Sequence, residues 1–126
     1  MFDSVKCYGV LAASDFARAV RWWKDVFGLE PDSEMAGEGA AMFELGGSPF
    51  LVYESQFAGT AKNTALGIDT DDLDRDMAAL RERGVVFNEY DLPGLQTVDG
   101  VAEEEGMRTA WFNDSEGNII AIGQRT

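Results

Sequence analysis

The side chains available for chemistry in this sequence do not include histidine, which is absent from all 126 residues. Imidazole is the commonest transition-metal ligand in proteins and the commonest general base near neutral pH. Proton transfer would therefore fall to carboxylates, tyrosine, lysine, bound water or the single cysteine, Cys7. A nucleophilic cysteine needs an activating base, so we interpret Cys7 as a small apolar residue on a strand.

Acidic residues outnumber basic ones by 23 to 10, which gives a formal net charge of −13. Nucleic acids and anionic membranes bind basic patches, so the composition argues against both partners. A cationic ligand is compatible with this charge, although a solvated acidic surface explains it more simply.

The length of the chain predicts one domain with a core that needs no disulfide support. A single cysteine cannot form an internal disulfide. No apolar run approaches the roughly 20 residues that span a bilayer, and Met1 leads directly into a strand-like run instead of a signal region. We therefore expect a cytoplasmic protein.

The first half of the chain predicts the element order β-α-β-β-β. Val5–Leu11 alternates as a strand, and Ser14 or Asp15 is expected to cap a helix that ends at Gly28. The apolar positions of this helix recur every three or four residues, at Phe16, Ala19, Val20, Trp23, Val26 and Phe27. Three strands are predicted after the helix, a short one within residues 29–35 and two longer ones at 40–45 and 49–54.

The second half predicts the same order again. A strand with Thr64, Leu66 and Ile68 precedes a helix that Asp71 is expected to cap and Gly84 to end. Asp71 follows Asp15 by 56 residues, and Gly84 follows Gly28 by 56 residues. Residues 85–90 are then predicted as a strand. Such a spacing indicates an internal duplication, which fixes the architecture.

The C-terminal stretch Thr109–Gln124 predicts a hairpin that closes the second half. Trp111 and Phe112 belong to its first strand, and the β-branched run that begins at Ile119 forms its second strand. The intervening residues 114–118, DSEGN, have the composition of a tight turn.

One segment has no counterpart of equal length in the first half. Residues 91–106, DLPGLQTVDGVAEEEG, contain two turn signals and three consecutive glutamates. Long irregular segments in compact domains often serve as binding lids. A structural wrap over the sheet edge or a dimer seam is the alternative.

Three stretches resemble one known family: ASDFARAVRWWKDVFGLEP, DDLDRDMAALRERGV and WFNDSEGNIIAIGQ. Together they are similar to the vicinal oxygen chelate superfamily, which includes glyoxalase I, bleomycin-resistance proteins and extradiol dioxygenases, and in particular to its small single-domain members. The resemblance implies an α+β fold of two tandem β-α-β-β-β modules, residues 4–56 and 62–126, that form a cup-shaped mixed sheet. It also implies a homodimer.

Metal-using members of this family carry ligands on four strands, and the resemblance places these positions in this chain. They fall on Tyr8, on Tyr53 with Glu54 beside it, on Asn63 (or Ala65 in the repeat register), and on Ala121. Alanine has no donor atom, and divalent first-row ions prefer imidazole or carboxylate to phenol or amide. We therefore predict no bound metal and no cofactor.

The function predicted from the resemblance is metal-free binding of an organic ligand, cationic or aromatic. Tyr8, Tyr53, Asn63 and Trp111 would supply polar anchors and apolar walls, and Ala121 would leave room. The first alternative is a lyase, isomerase or dioxygenase-like enzyme with unusual metal ligands such as Glu44 and Glu54. The second is a structural or regulatory dimer that acts through protein contacts. No catalytic residue is assigned.

The second alternative depends on the adjacent Trp22 and Trp23. Neighbouring residues of a helix cannot both face the same core. One of the two indoles is therefore expected at the helix edge, against a partner chain or a strand end.

Overall fold

The computed structural model describes residues 1–35 and 39–126. Two α-helices are present in this part, α1 (Phe16–Phe27) and α2 (Leu73–Glu82). The strands are β1 (Gly9–Ala13), β2 (Ser33–Met35), β3 (Ala40–Leu45), β4 (Ser48–Glu54), β5 (Thr64–Asp69), β6 (Asp91–Leu92), β7 (Leu95–Gln96), β8 (Ala102–Glu104), β9 (Met107–Asn113) and β10 (Ile119–Arg125).

Each half of the chain contributes one four-stranded sheet, and both sheets have the same order. The first sheet runs β1-β4-β3-β2 and the second runs β5-β10-β9-β8. In each sheet the first pair is parallel and the other pairs are antiparallel. β6 and β7 form a separate small hairpin. The division into modules of residues 4–56 and 62–126 stays a prediction.

Helix α1 packs against both sheets. Trp23 is 1% exposed and its ring lies 4.8 Å from that of Phe50 in the first sheet. Trp22 is half-buried, and its ring lies 6.4 Å from that of Phe112 in the second sheet. One core therefore contains inward residues of both sheets and both helices. Within the chain, Trp22 packs against the other half, so its position gives no support to the partner-contact alternative.

The first strand begins later than the alternation of Val5, Cys7 and Gly9 predicted. β1 starts at Gly9 because its parallel register with β4 directs Leu11 and Ala13 into the core. Val5 is 59% exposed, and Cys7 is exposed as well, which contradicts the prediction that it packs as a core residue.

The second helix also begins one residue later than predicted. The carboxylate of Asp72, which follows Asp15 by 57 residues, accepts the N-cap hydrogen bond from the Arg75 backbone. Asp71 instead pairs with the Arg75 guanidinium at 2.9 Å. Residues 85–90, predicted as a strand, form only an isolated bridge between Phe87 and Phe112.

One face of each sheet packs on the helices, and the opposite face does not. We call the second kind the open face. Side chains alternate between the two faces along a strand. On the first sheet the open face carries Val10 and Tyr53, which are 51% and 40% exposed. On the second sheet it carries Trp111 and Ala121, which are both half-buried.

Candidate functional site

The turn between β9 and β10 is organised by the buried carboxylate of Asp114. One oxygen of this group accepts hydrogen bonds from the backbone N–H groups of Glu116 and Asn118, both at 2.9 Å. The Asn118 amide donates to the second oxygen and to the carbonyl of Ala12 in β1, both at 2.8 Å. Burial raises the pKa of Asp114 although these bonds oppose it. The turn of the second half is thereby tied to the first strand of the chain.

Glu116 makes a second connection between the turn and the first half. Its side chain is 1% exposed and accepts from Arg18 Nε at 2.7 Å. It also accepts from the Asp15 backbone N–H at 2.9 Å and from the Ser14 hydroxyl at 3.2 Å. Burial alone would raise the pKa of Glu116, but the hydrogen bonds from Arg18, Asp15 and Ser115 outweigh it and lower the pKa to about 2. This carboxylate fixes the start of α1 against the C-terminal hairpin.

The hairpin register places three residues side by side across the open face of the second sheet. Trp111 in β9 lies opposite Ala121 in β10, which lies beside Gly67 in β5. We call these three residues the Trp111 row. A methyl group follows the indole and a bare backbone follows the methyl group. A Cβ atom added at Gly67 would meet no atom within 4 Å, so the space above this glycine is open.

Polar and aromatic side chains stand beside Trp111. The ring of Tyr90 meets that of Trp111 edge-on, with 5.6 Å between centroids. The Asn88 amide donates to Asn113 Oδ1 at 2.8 Å and to the Tyr90 hydroxyl at 3.3 Å. We call Asn88, Tyr90, Trp111 and Asn113 the aromatic–amide cluster. Sequence analysis identified only Trp111 among them.

The other predicted site residues lie elsewhere. Tyr53 pairs with Ala12 and Ala40 in the first sheet. Tyr8 directly precedes β1 and is 52% exposed. Asn63 is exposed at the start of β5, and its amide donates to the Thr64 carbonyl at 3.3 Å. The structure therefore places Trp111 and Ala121 together on one sheet, and Tyr8 and Tyr53 with the other.

The side chains at the family's ligand positions do not fit a divalent ion. Ala121 offers no donor, and Asn63 is occupied by its backbone bond. Glu44 and Glu54, the alternative ligands, lie on opposite faces of the first sheet because Glu54 shares the parity of buried Val52 and Glu44 does not share that of buried Phe43. Across residues 1–35 and 39–126, no cluster of three or more Cys, Asp or Glu side chains is placed to hold a metal.

Two cavities border the second sheet. One of about 440 Å³ lies between β5, including Gly67 and Asp69, and the β3–β4 hairpin. A larger one of about 870 Å³ lies between α2 and the segment of residues 94–104. Its charged groups already pair with one another, since Arg108 contacts Asp74 at 3.0 Å and Glu103 at 3.5 Å. We place the candidate site at the smaller cavity and the adjoining Trp111 row.

The segment of residues 91–106 is held by contacts with α2 and with the chain before it. The Glu89 carboxylate accepts from the Gly100 backbone at 2.6 Å and from the Thr97 hydroxyl at 2.9 Å. Arg81 donates to the Asp99 carbonyl at 3.2 Å, and its guanidinium lies 5.1 Å from the centre of the Phe87 ring. These contacts favour a structural wrap over a lid.

Several solved structures share this fold. A genomically encoded fosfomycin resistance protein, FosX from Listeria monocytogenes, has a TM-score of 0.74 and 13% identity, with 98% of this chain and 93% of that chain covered. TnmS3, an antibiotic binding protein from a Streptomyces species, has a TM-score of 0.66 and 22% identity, with 98% of both chains covered. A glyoxalase / bleomycin resistance protein from Catenulispora acidiphila has a TM-score of 0.66 and 25% identity, with 98% and 100% covered.

No curated protein sequence matches the chain. A family model matches residues 5–122, almost the whole chain. With the structural neighbours, this match confirms the resemblance and the α+β glyoxalase/bleomycin-resistance fold that the sequence predicted. The chain belongs to the Glyoxalase/Bleomycin resistance protein/Dioxygenase superfamily.

Proposed function

We propose that this protein binds a small organic molecule without a metal ion and sequesters it in the cytoplasm. The observation that carries the proposal is the Trp111 row, where an aromatic wall stands beside a floor with open space above Gly67. Ligand sites combine apolar walls with a few polar groups that fix orientation. The aromatic–amide cluster supplies both, and it needs no nucleophile or metal.

The names of the structural neighbours agree with such a role. TnmS3 is described as an antibiotic binding protein, and FosX as a fosfomycin resistance protein. Both lie under 25% identity, so their ligands are not transferred to this chain. In the described parts of the chain, neither helix has the length and apolarity that crossing a bilayer requires.

A homodimer would complete the site. Tyr8, Val10 and Tyr53 are each at least 40% exposed on or beside the open face of the first sheet. If this face of one copy met the open face of the second sheet of another copy, the five predicted residues would surround one cup. The uncovered apolar side chains support this arrangement, because exposed apolar patches mark interaction surfaces.

The dimer is tested by the mass of the protein in solution. We expect the wild-type protein to sediment at about twice the 13.8 kDa of the chain. The substitution Val10→Glu would place a charge on the open face and shift the population to monomer. Val86→Glu is the matched control, since Val86 is 81% exposed and lies outside both open faces. A wild-type monomer, or an equal effect of the two substitutions, would refute the arrangement.

The binding function is tested by thermal shift against a library of aromatic and cationic compounds. A ligand at 100 times its Kd stabilises the folded state by about 2.7 kcal/mol, which raises the Tm by roughly 10 °C for a chain of this size. We expect this shift to persist after dialysis against a chelator. Binding that disappears on chelation and returns with a divalent ion would overturn the metal-free proposal, and the absence of any stabilising compound would overturn the binding proposal.

A further inference from the structure

We propose that the ligand of this site is a flat, fused-ring aromatic molecule that carries an amino cation. The inference rests on the proposed binding function and narrows it to one class of ligand. It is drawn from the shape of the floor, the character of the walls and the charge at one corner of the Trp111 row.

The floor is wide and shallow. Trp111 and Gly67 are two strands apart, which is about 10 Å in a sheet. Between them lies only the Ala121 methyl group. The rows on either side stand higher, because Ile119 rises on one side and the Met107 methyl group covers Gly123 on the other. Neighbouring rows on one face are about 7 Å away in each direction. This trough has the dimensions of two or three fused rings that lie flat on the sheet.

The walls favour an aromatic ligand with hydrogen-bonding groups at its edge. Trp111 is half-buried and Tyr90 meets it edge-on, so part of the indole surface faces the trough. Offset-stacked and edge-to-face aromatic contacts are favourable at ring separations of this order. Asn113 and Asn88 stand at the same end of the row, and their amides can take further hydrogen bonds from polar substituents of a ring.

The far corner of the trough carries a negative charge. Asp69 lies two residues after Gly67 on the same face of β5, beside Gly123. Its side chain is exposed, and both Asp69 and Gly67 line the 440 Å³ cavity. No Lys or Arg side chain lines that cavity. An amino group on the ring system would therefore meet a carboxylate at this corner, within the range of other acidic groups on a strongly acidic protein.

The inference is tested with four proteins and three probes. The proteins are the wild type, Gly67→Leu, Gly67→Ala and Asp69→Asn, with Ala78→Leu on the exposed side of α2 as control. The probes are proflavine, a flat three-ring amino cation; anthraquinone sulfonate, which is flat and anionic; and amantadine, a compact cage amine. Binding is measured by titration calorimetry, and folding of each variant by its Tm.

We expect proflavine to bind the wild type more tightly than either other probe. Gly67→Leu should weaken it by more than about 100-fold, because the added side chain occupies the floor, while Gly67→Ala has a smaller effect. Asp69→Asn should weaken it by about 5-fold, as for an exposed ion pair. Ala78→Leu should leave it unchanged.

Two results would overturn the inference and leave the binding function standing. One is tighter binding of amantadine than of proflavine, with both lost in Gly67→Leu. The other is unchanged proflavine binding in folded Gly67→Leu while a different library compound stabilises the wild type. If no compound of the broad library stabilises the wild type, the proposed function itself fails, and the ligand class fails with it.

Discussion

Replacing Glu116 by glutamine is expected to lower the free energy of unfolding by about 3 kcal/mol at pH 7. The native carboxylate is 1% exposed and accepts five hydrogen bonds, two of them from the Arg18 guanidinium at 2.7 and 3.0 Å. A glutamine amide presents N–H donors to donors that already point at it. The guanidinium of Arg18 is about half exposed, so solvent limits the loss to the lower part of the range for a broken buried pair.

The measurement is urea denaturation of the wild type, Glu116→Gln and a matched control. Glu44→Gln serves as control because Glu44 is exposed and appears in none of the ion pairs of the described residues. We expect the control to change stability by less than about 0.5 kcal/mol. A loss of that small size in Glu116→Gln would mean that the turn does not hold α1 in solution.

The same carboxylate should dominate the acid sensitivity of the protein. The pKa of Glu116 is lowered to about 2 in the folded state, so its contribution is present above the unfolded value of 4.5 and is lost as pH falls toward 2. The raised pKa of Asp114 acts in the opposite direction, since burial penalises its charged form and protonation relieves the penalty. Wild-type stability should therefore fall between about pH 5 and pH 2, and that of Glu116→Gln should fall less. Parallel profiles for the two proteins would contradict this assignment.

The helix pattern of the first half was predicted from the sequence because periodicity reports burial directly. Ala19, Trp23 and Val26 recur at helical spacing, and all three lie in the core. The start of β1 was not predictable in this way, since Val5 and Cys7 alternate with polar residues just as Leu11 and Ala13 alternate with Ala12. The choice depends on the register with β4, which is a contact between distant parts of the chain.

The N-cap of α2 shows the same limit. Asp71 and Asp72 are equally good capping residues by type. The Gln124 side chain selects between them, because its amide donates to the Asp71 carbonyl and its oxygen accepts from the Leu73 backbone. A residue more than 50 positions away thus determines where the helix begins.

The candidate site was predicted only in part, for reasons that differ between residues. Trp111 and Ala121 fall opposite each other because a tight turn fixes hairpin register, and this register can be read from the sequence. Gly67 gave no signal, since a glycine in a strand has no side chain to suggest a role. Asn88 and Tyr90 reach the site from a segment held by an isolated bridge, which no local pattern indicates. The role of all five residues in ligand binding stays a prediction.

The turn that sets this register also depends on a contact between two glycines. Gly117 has φ of +87°, and a Cβ added there would lie 2.9 Å from the Gly59 Cα atom in the connector between the halves. In the reverse direction, a Cβ at Gly59 would lie 2.8 Å from the Glu116 carbonyl oxygen. The backbones of the connector and the turn are therefore as close as two chains can come, and neither glycine can accept a side chain without movement of the other segment.

Gly117→Ala is accordingly expected to cost about 3 kcal/mol, of which about 1 kcal/mol comes from the left-handed backbone and the rest from displacement of the connector. Gly46→Ala separates the two contributions, because Gly46 has φ of +60° and a Cβ there meets nothing within 4 Å. It should cost about 1 kcal/mol only. Urea denaturation of both variants measures the difference. Equal losses would show that the connector does not rest on the turn in solution, and the two halves would then be held together by Glu116, Asn118 and the shared core alone.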